Sequence, residues 1–322
     1  MYQPVCVLAA GAELNVFSFL SEKPQTGQQL ADQLGVDVRA LTVLLDGLTA
    51  LEMLIKKEGR YEAPLEVAEL LTETSDKSLL SAVRHQANCL RRWVQLAKVV
   101  QTGQPAERVF SIRGAEEDQA AFIRAMHSFS QASADMVVKD ISPLSFRHLL
   151  DVGGASGTWT MAFLWAFPAA RATIFDLPEV IPKARRRLEQ AGFLERIDLV
   201  GGDFYEEDLP PGADLAWLGA IAHQNSREQN RSLFAKVYAA LEPGGIVLVR
   251  DVVMDPSRIR PSGGALFAIN MLVATEGGGT YTFAEYKEDL TAAGFGQAEL
   301  IRQDESMNSV IRAEKMIKTN NG

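Results

Sequence analysis

The sequence predicts an α/β chain in which a helical N-terminal region precedes an open, mostly parallel sheet. Three observations predict it. Apolar residues recur at helical spacing through the first third of the chain. From residue 148 on, short apolar runs alternate with helical patterns. The run Leu-Leu-Asp-Val-Gly-Gly-Ala-Ser-Gly (149–157) is a buried strand that ends in an acid and turns through small residues into a helix.

Taken in order, residues 1 to about 20 read as one apolar helix, with Val5, Leu8, Ala9, Ala12, Val16 and Phe19 on helical spacing. Thr26 can cap the next helix and Gly35 can end it. A second helix carries Leu41, Leu44, Leu45, Leu48 and Leu51, and a hairpin follows over Met53 to Ala63 with its turn at Glu58-Gly59. Helix, turn, helix and hairpin form a winged-helix pattern. It suits either DNA binding or a dimerisation and substrate-lid module. A recognition helix should carry several basic and amide side chains. Arg39 to Leu48 offers one Arg and an Asp, which favours the second use. A further helix over 76–105 is broken by Gly103-Gln104-Pro105. The helix Glu116 to Ile141 carries Phe122, Met126 and Phe129 and leads through Ser142-Pro143 into the first strand of the sheet. Strands are expected at 148–152, 172–176, 197–201, 213–219, 246–252, 298–303 and 308–314. The last two lie too close for a crossover helix and should pair antiparallel. These patterns divide the chain into a helical part over 1–105, a connecting helix over 106–145 and a sheet domain over 146–322, with Lys318–Gly322 as a frayed tail.

Composition narrows the function. The 322 residues are 47% hydrophobic and 23% charged, in the range of soluble globular proteins. A formal net charge of −9 argues against binding nucleic acid through the overall field. No apolar run is long enough to span a bilayer, and Glu13 interrupts the N-terminal apolar stretch, so neither a membrane span nor a signal peptide is expected. Two cysteines, Cys6 and Cys89, form neither a metal spacing nor a disulfide framework, and a cytoplasmic setting is the default. No His/Asp/Glu cluster has ligand spacing, so no metal site is expected.

The glycine-rich turn is the centre of the argument. Glycine tolerates positive φ and lets backbone approach a ligand closely. The helix behind the turn offers free N–H groups. A second strand ends in Asp176, about 20 residues beyond Gly157, where an acid can accept hydrogen bonds from ribose hydroxyls. A third ends in Gly-Gly-Asp-Phe (201–204), where Asp203 can accept from an adenine amine and Phe204 can cover the ring. The small residues fall at Gly153, Ala155 and Gly157, followed by Thr158, Trp159 and Thr160. The third glycine of the dinucleotide fingerprint is missing, which disfavours a nicotinamide dehydrogenase and favours a mononucleoside cofactor.

These motifs carry a resemblance. Asp-Val-Gly-Gly-Ala-Ser-Gly (151–157), Phe-Asp-Leu-Pro (175–178), Gly-Gly-Asp-Phe (201–204), the His223 segment, Leu-Glu-Pro-Gly-Gly (241–245) and Ala-Ala-Gly-Phe (292–295) stand in one order. Asp151 to Lys315 resembles the catalytic domain of class I S-adenosylmethionine-dependent methyltransferases. The likeness is strongest to the O-methyltransferase family that includes the plant caffeic acid type and bacterial natural-product enzymes. The N-terminal third resembles that family's helical domain. The resemblance implies a Rossmann-like methyltransferase sheet with an antiparallel last strand, preceded by an α-helical, winged-helix-like dimerisation domain. It implies a homodimer that converts S-adenosylmethionine to S-adenosylhomocysteine while methylating a small molecule. Asp151, Gly153, Gly154, Ala155, Gly157, Asp176, Leu177, Asp203, Phe204, Gly219 and Ala220 would hold the cofactor.

A hydroxyl acceptor is a poor nucleophile until a base takes its proton, and histidine suits that role near neutrality. The chain has four histidines, His85, His127, His148 and His223. His223 follows the fourth strand and faces the crevice where ligands of such sheets sit. In the resembled family this is the base of a His-Asp-Trp motif; here it reads His223-Gln224-Asn225. Asp251, at the end of the fifth strand, matches the acid that steadies the base. The family's second acid falls at Thr280, with Glu276 the nearest carboxylate, and a cofactor-touching lysine of plant members corresponds to Gly219. The adenine-packing tryptophan corresponds to Asn225. By the same resemblance, Phe122, Met126 and His127, with Phe267, Asn270 and Met271, would line the acceptor pocket. Their mix suits an aromatic or polyketide-like molecule. Rival readings are C-methylation, a non-methylating reaction on the same cofactor, and a winged-helix ligand-sensing regulator.

Overall fold

A computed structural model describes residues 2–131 and 133–317, so the expected tail at 318–322 lies outside the described residues. The chain divides into two compact units, Met1–Gln95 with Glu107–Ser128 and Leu96–Ala106 with Phe129–Gly322.

The first unit opens with α1 (Gln3–Glu13) and α2 (Val16–Glu22), not with one helix. Asn15 adopts a left-handed conformation (φ 59°) between them, and the two axes are bent by 66°. Asn tolerates that conformation better than most residues, and its Oδ1 accepts from Ser18 Oγ at 2.8 Å. The apolar spacing runs unbroken across the bend, so periodicity alone does not reveal it. After β1 (Gln25–Thr26), α3 (Gly27–Leu34) is capped by Thr26 with Gln29 in a reciprocal capping box and ends at Gly35 (φ 65°). Next come α4 (Val38–Ala50), β2 (Ile55–Lys57), β3 (Arg60–Glu62), α5 (Leu65–Leu71) and α6 (Leu80–Trp93). Glu58 and Gly59 both take positive φ in the hairpin turn, and β1 pairs the other edge of β3. Phe17, Leu20, Leu30, Leu45, Leu48 and Tyr61 form the buried core. The exposed face of α4 presents Arg39, Val43 and Asp46, and Asp46 is already bonded to Lys56 and Tyr61.

The expected helix over 76–105 is likewise two, α6 and α7 (Leu96–Thr102). That over 116–141 is α8 (Ala115–Gln131) and α9 (Ala134–Asp140). Among the described residues no single helix is long and apolar enough to cross a membrane; the bent pair α1–α2 passes by length and composition only.

The second unit is built on a seven-stranded sheet. Its elements are β4 (His148–Val152), α10 (Thr158–Ala166), β5 (Arg171–Asp176), α11 (Ile181–Gln190), β6 (Ile197–Gly201), β7 (Ala213–Gly219), α12 (Arg227–Ala240) and β8 (Leu241–Asp251). Then follow β9 (Val253–Met254), α13 (Ser262–Ala274), β10 (Tyr281–Thr282), α14 (Phe283–Ala292), β11 (Glu299–Arg302) and β12 (Ser309–Glu314). The order is β11-β12-β8-β7-β4-β5-β6, with β12 antiparallel to both neighbours and every other pair parallel. Strand alternation sorts the side chains. Leu149, Leu215 and Trp217 pack with Val137, Phe163 and Leu188 on the α9–α10–α11 face. Leu150, Ala216 and Leu218 pack with Phe234, Val237 and Leu290 on the α12–α14 face. The short parallel pair β9–β10 was not predicted, because two residues carry no periodicity.

Candidate active site

The turn between β4 and α10 depends on glycine at its three crowded positions. Gly153 (φ 70°) and Gly157 (φ 77°) are left-handed. A Cβ on Gly153 would lie 2.5 Å from Ile221 Cδ1, one on Gly154 2.9 Å from Asp151 Cγ and one on Gly157 2.8 Å from Leu188 Cδ2. Ala155 is also left-handed (φ 49°), a strained state for a residue with a Cβ. Its N–H donates to Asp176 Oδ2 at 2.7 Å, and Leu177 N–H donates to Asp176 Oδ1 at 2.7 Å. The end of β5 therefore holds the glycine turn. Burial raises the Asp176 pKa, and the two N–H donors oppose that shift. Arg187 of α11 closes the far side of the turn. Its Nη1 donates to Ser156 O at 2.8 Å and to Thr158 Oγ1 at 3.0 Å, and burial draws its pKa down to about 10. Below the turn, Asp151 is buried and accepts from Thr160 Oγ1; burial pushes its carboxyl up to about 7.

A second turn follows β6. Gly202 lies against Phe175, where a Cβ would sit 2.5 Å from Cζ. Asp203 Oδ1 accepts from Tyr205 N–H at 2.9 Å, and the Phe204 and Tyr205 rings lie 4.6 Å apart. Lys236 of α12 donates to the carbonyls of Phe204 (2.9 Å), Tyr205 (3.0 Å) and Glu207 (2.8 Å), which fixes the turn. A tight glycine turn, carboxylates at or just beyond the ends of two adjacent strands and a partly buried aromatic together fit a nucleoside cofactor.

The third piece lies beyond β7. Ala220 is left-handed (φ 60°) and donates to Arg250 O at 2.8 Å. A short 3₁₀ turn, Ala222–Gln224, then presents His223. His223 Nδ1 is 3.0 Å from both oxygens of Asp251, and the His223 N–H donates to Asp251 Oδ2 at 3.1 Å. Asp251 is 1% exposed and also accepts from Val252 N–H at 2.8 Å. A carboxylate that accepts at Nδ1 places the proton there and leaves the Nε2 lone pair open. The edge of Phe267 meets the imidazole at 4.8 Å and 82°.

Family models match most of the chain: an O-methyltransferase domain over residues 81–296 and an O-methyltransferase dimerisation domain over residues 4–74. The chain belongs to the S-adenosylmethionine-dependent O-methyltransferases. It is 30% identical to a 3-hydroxy-5-methyl-1-naphthoate 3-O-methyltransferase of Streptomyces sahachiroi, over 92% of this chain and 87% of that protein. It is 29% identical to an L-tyrosine C(3)-methyltransferase of Streptomyces lavendulae, over 92% and 85%. The structure of human N-acetylserotonin methyltransferase in complex with S-adenosylmethionine superposes with a TM-score of 0.77 at 27% identity, covering 98% of this chain and 94% of that one.

Against that family the departures acquire physical reasons. A Cβ on Gly219 would lie 2.5 Å from Trp217 Nε1, so the buried indole fills the place where a lysine would begin. Glu276 is exposed, and the loop after it supports the His223 turn through backbone instead of a carboxylate. Gly279 N–H donates to His223 O at 2.8 Å, and a Cβ on Gly278 would fall 2.6 Å from that same oxygen. Asn225 is fully buried where the tryptophan is expected. It accepts from the Tyr205 hydroxyl, donates to Asn230 Oδ1 at 3.0 Å, and its carbonyl accepts from the Tyr281 hydroxyl.

The methyltransferase's expected acceptor residues divide between the units. Phe122, Met126 and His127 belong to the first, where the Phe122 ring packs on His85 at 5.2 Å. Phe267, Asn270 and Met271 share α13 in the second; Phe267 reaches His223, and Met271 is buried. Sequence reasoning missed Arg187, Tyr205, Asn230 and Gly278, whose parts depend on tertiary neighbours.

Proposed function

We propose that this O-methyltransferase acts on a hydroxyl of a small aromatic or polyketide-like molecule, with His223 as general base and Asp251 as the residue that orients it. The observation that carries the reading is the two-point hold of Asp251 on His223, through Nδ1 and the backbone N–H. It fixes the ring orientation and keeps Nε2 as the proton acceptor. We assign the glycine turn with Asp151, Gly153, Gly154, Ala155 and Gly157 to the cofactor's amino-acid arm and sugar. Asp176 and Leu177 take the ribose hydroxyls, Asp203 and Phe204 the adenine, and Gly219 with Ala220 the edge nearest the sulfur. When bound, the cofactor supplies an electrophilic methyl group on a sulfonium. The chain's own work is positioning: an in-line displacement gains most of its rate from alignment. His223 takes the acceptor proton onto Nε2 as the oxygen becomes nucleophilic, and Asp251 balances the imidazolium. Phe267, Asn270 and Met271 supply an apolar wall with one amide for a polar edge. The dimerisation domain supports a homodimer.

His223→Gln keeps the size and polarity of the side chain but not the base. We expect kcat to fall by about 10²–10⁴-fold while S-adenosylhomocysteine affinity stays within about twofold. Full turnover in this variant would end the base assignment. A second reading, C-methylation of an activated ring carbon, is favoured by the likeness to the tyrosine C(3)-methyltransferase. The mass and position of the new methyl group in the product separate the two.

A further inference from the structure

Asn225, itself buried, sits at the centre of a polar chain whose two ends are the adenine turn and the base turn. Ala222 O can only accept, so Asn230 must present Nδ2 to it, at 2.9 Å. Asn230 Oδ1 then accepts from Asn225 Nδ2 at 3.0 Å, which leaves Asn225 Oδ1 to accept from the Tyr205 hydroxyl. One set of amide orientations gives each amide oxygen and nitrogen a partner, and both amides are buried, which favours a fixed geometry. Tyr205 stands next to Phe204, on the turn that Lys236 ties to α12 through three carbonyls. Ala222 begins the single turn that carries His223. A displacement of residues 203–205 is therefore passed, bond by bond, to the residue preceding His223.

We propose that Tyr205 and Asn225 are positioning residues: a hydrogen-bonded strut through which occupancy of the adenine turn sets the place of His223 over Asp251. The tryptophan-to-asparagine departure exchanges a packing contact at the adenine for a polar link to the base. The strut rests on the reading of residues 203–204 as the adenine site. It does not require His223 to be the base, because it concerns where His223 lies.

Tyr205→Phe tests it by removing one hydroxyl from a ring that is 44% exposed. Four histidines make the imidazole nitrogen resonances of labelled protein resolvable, and His223→Gln assigns the one that matters. In the wild type, saturating S-adenosylhomocysteine is expected to shift the His223 resonances and to slow amide exchange over residues 222–225. In Tyr205→Phe the product should still bind by calorimetry, with both responses reduced by at least half. Lys236→Met, which frees the turn at its other end, should do the same. Undiminished responses in both variants overturn the strut, as does a wild-type His223 that ignores bound product. Failure of the product to bind the wild type would instead remove the adenine-site reading, and the strut with it.

Discussion

Asp151 sits at the end of a buried strand with one hydroxyl, that of Thr160, as its side-chain partner. Its carboxyl, 3.8 in an ordinary setting, is pushed up to about 7 by burial, with the nearby Asp176 charge adding to the effect. Below about pH 4 the group is neutral in both folded and unfolded chains. Between about 4 and 7 the unfolded chain ionises and the folded chain does not, so stability is lost as pH rises through that window, by about 1.4 kcal/mol per pH unit at most. Asp151→Asn keeps an acceptor for Thr160 and cannot ionise. The ligand-free variant should therefore gain thermal midpoint relative to wild type as pH is raised from 5 to 8. Parallel curves for the two proteins would show that Asp151 is not the group responsible.

At the scale of elements, the loop 275–281 acts as a brace for the His223 turn. Gly278 packs against the carbonyls of His223 and Gln224, where a Cβ would fall at 2.6 and 2.9 Å, whereas a Cβ on Gly279 would meet nothing within 4 Å. Gly278→Ala should therefore push the His223 turn off Asp251 and lower kcat by tenfold or more with product affinity kept. Gly279→Ala, one residue away, should behave as wild type. Equal effects in the two variants would mean that the loop, and not the contact at Gly278, matters. None of this brace was legible in the sequence, where the loop was searched for a carboxylate and its three glycines went unread. Strands were legible because both faces are buried, so each reads as a short apolar run: Leu215 and Trp217 face one side, Ala216 and Leu218 the other. The pairing of His223 with Asp251 was reached through motif order, 28 residues apart. The polar chain through Tyr205, Asn225 and Asn230 was not, because spacing does not tell which side chains meet after folding. The break at Asn15 was hidden for the opposite reason: apolar periodicity continues straight across it.

At the scale of the whole molecule, the chain matches a dimerisation domain over residues 4–74 and leaves apolar side chains of that unit in solvent. Val5 is 52% exposed, Val43 63% and Leu65 82%. Apolar side chains that gather into one exposed patch mark an association surface, and the match to a dimerisation domain gives these a partner. Sedimentation at micromolar concentration should find two chains per particle, and a single chain there would count against the homodimer.

The sheet has a temporal side as well. Its last-made strand, β12, is not at an edge: it lies between β11 and β8, and Ser309 stands opposite Asp251. During synthesis β4 to β8 emerge first, and the flank of β8 stays bare until residues 309–314 arrive. A bare strand edge is a template for pairing with other chains. A message cut short before Glu314 would yield an aggregation-prone chain, not a slow enzyme. Chaperone demand should therefore peak late in translation, after the residues of the candidate site have already been made.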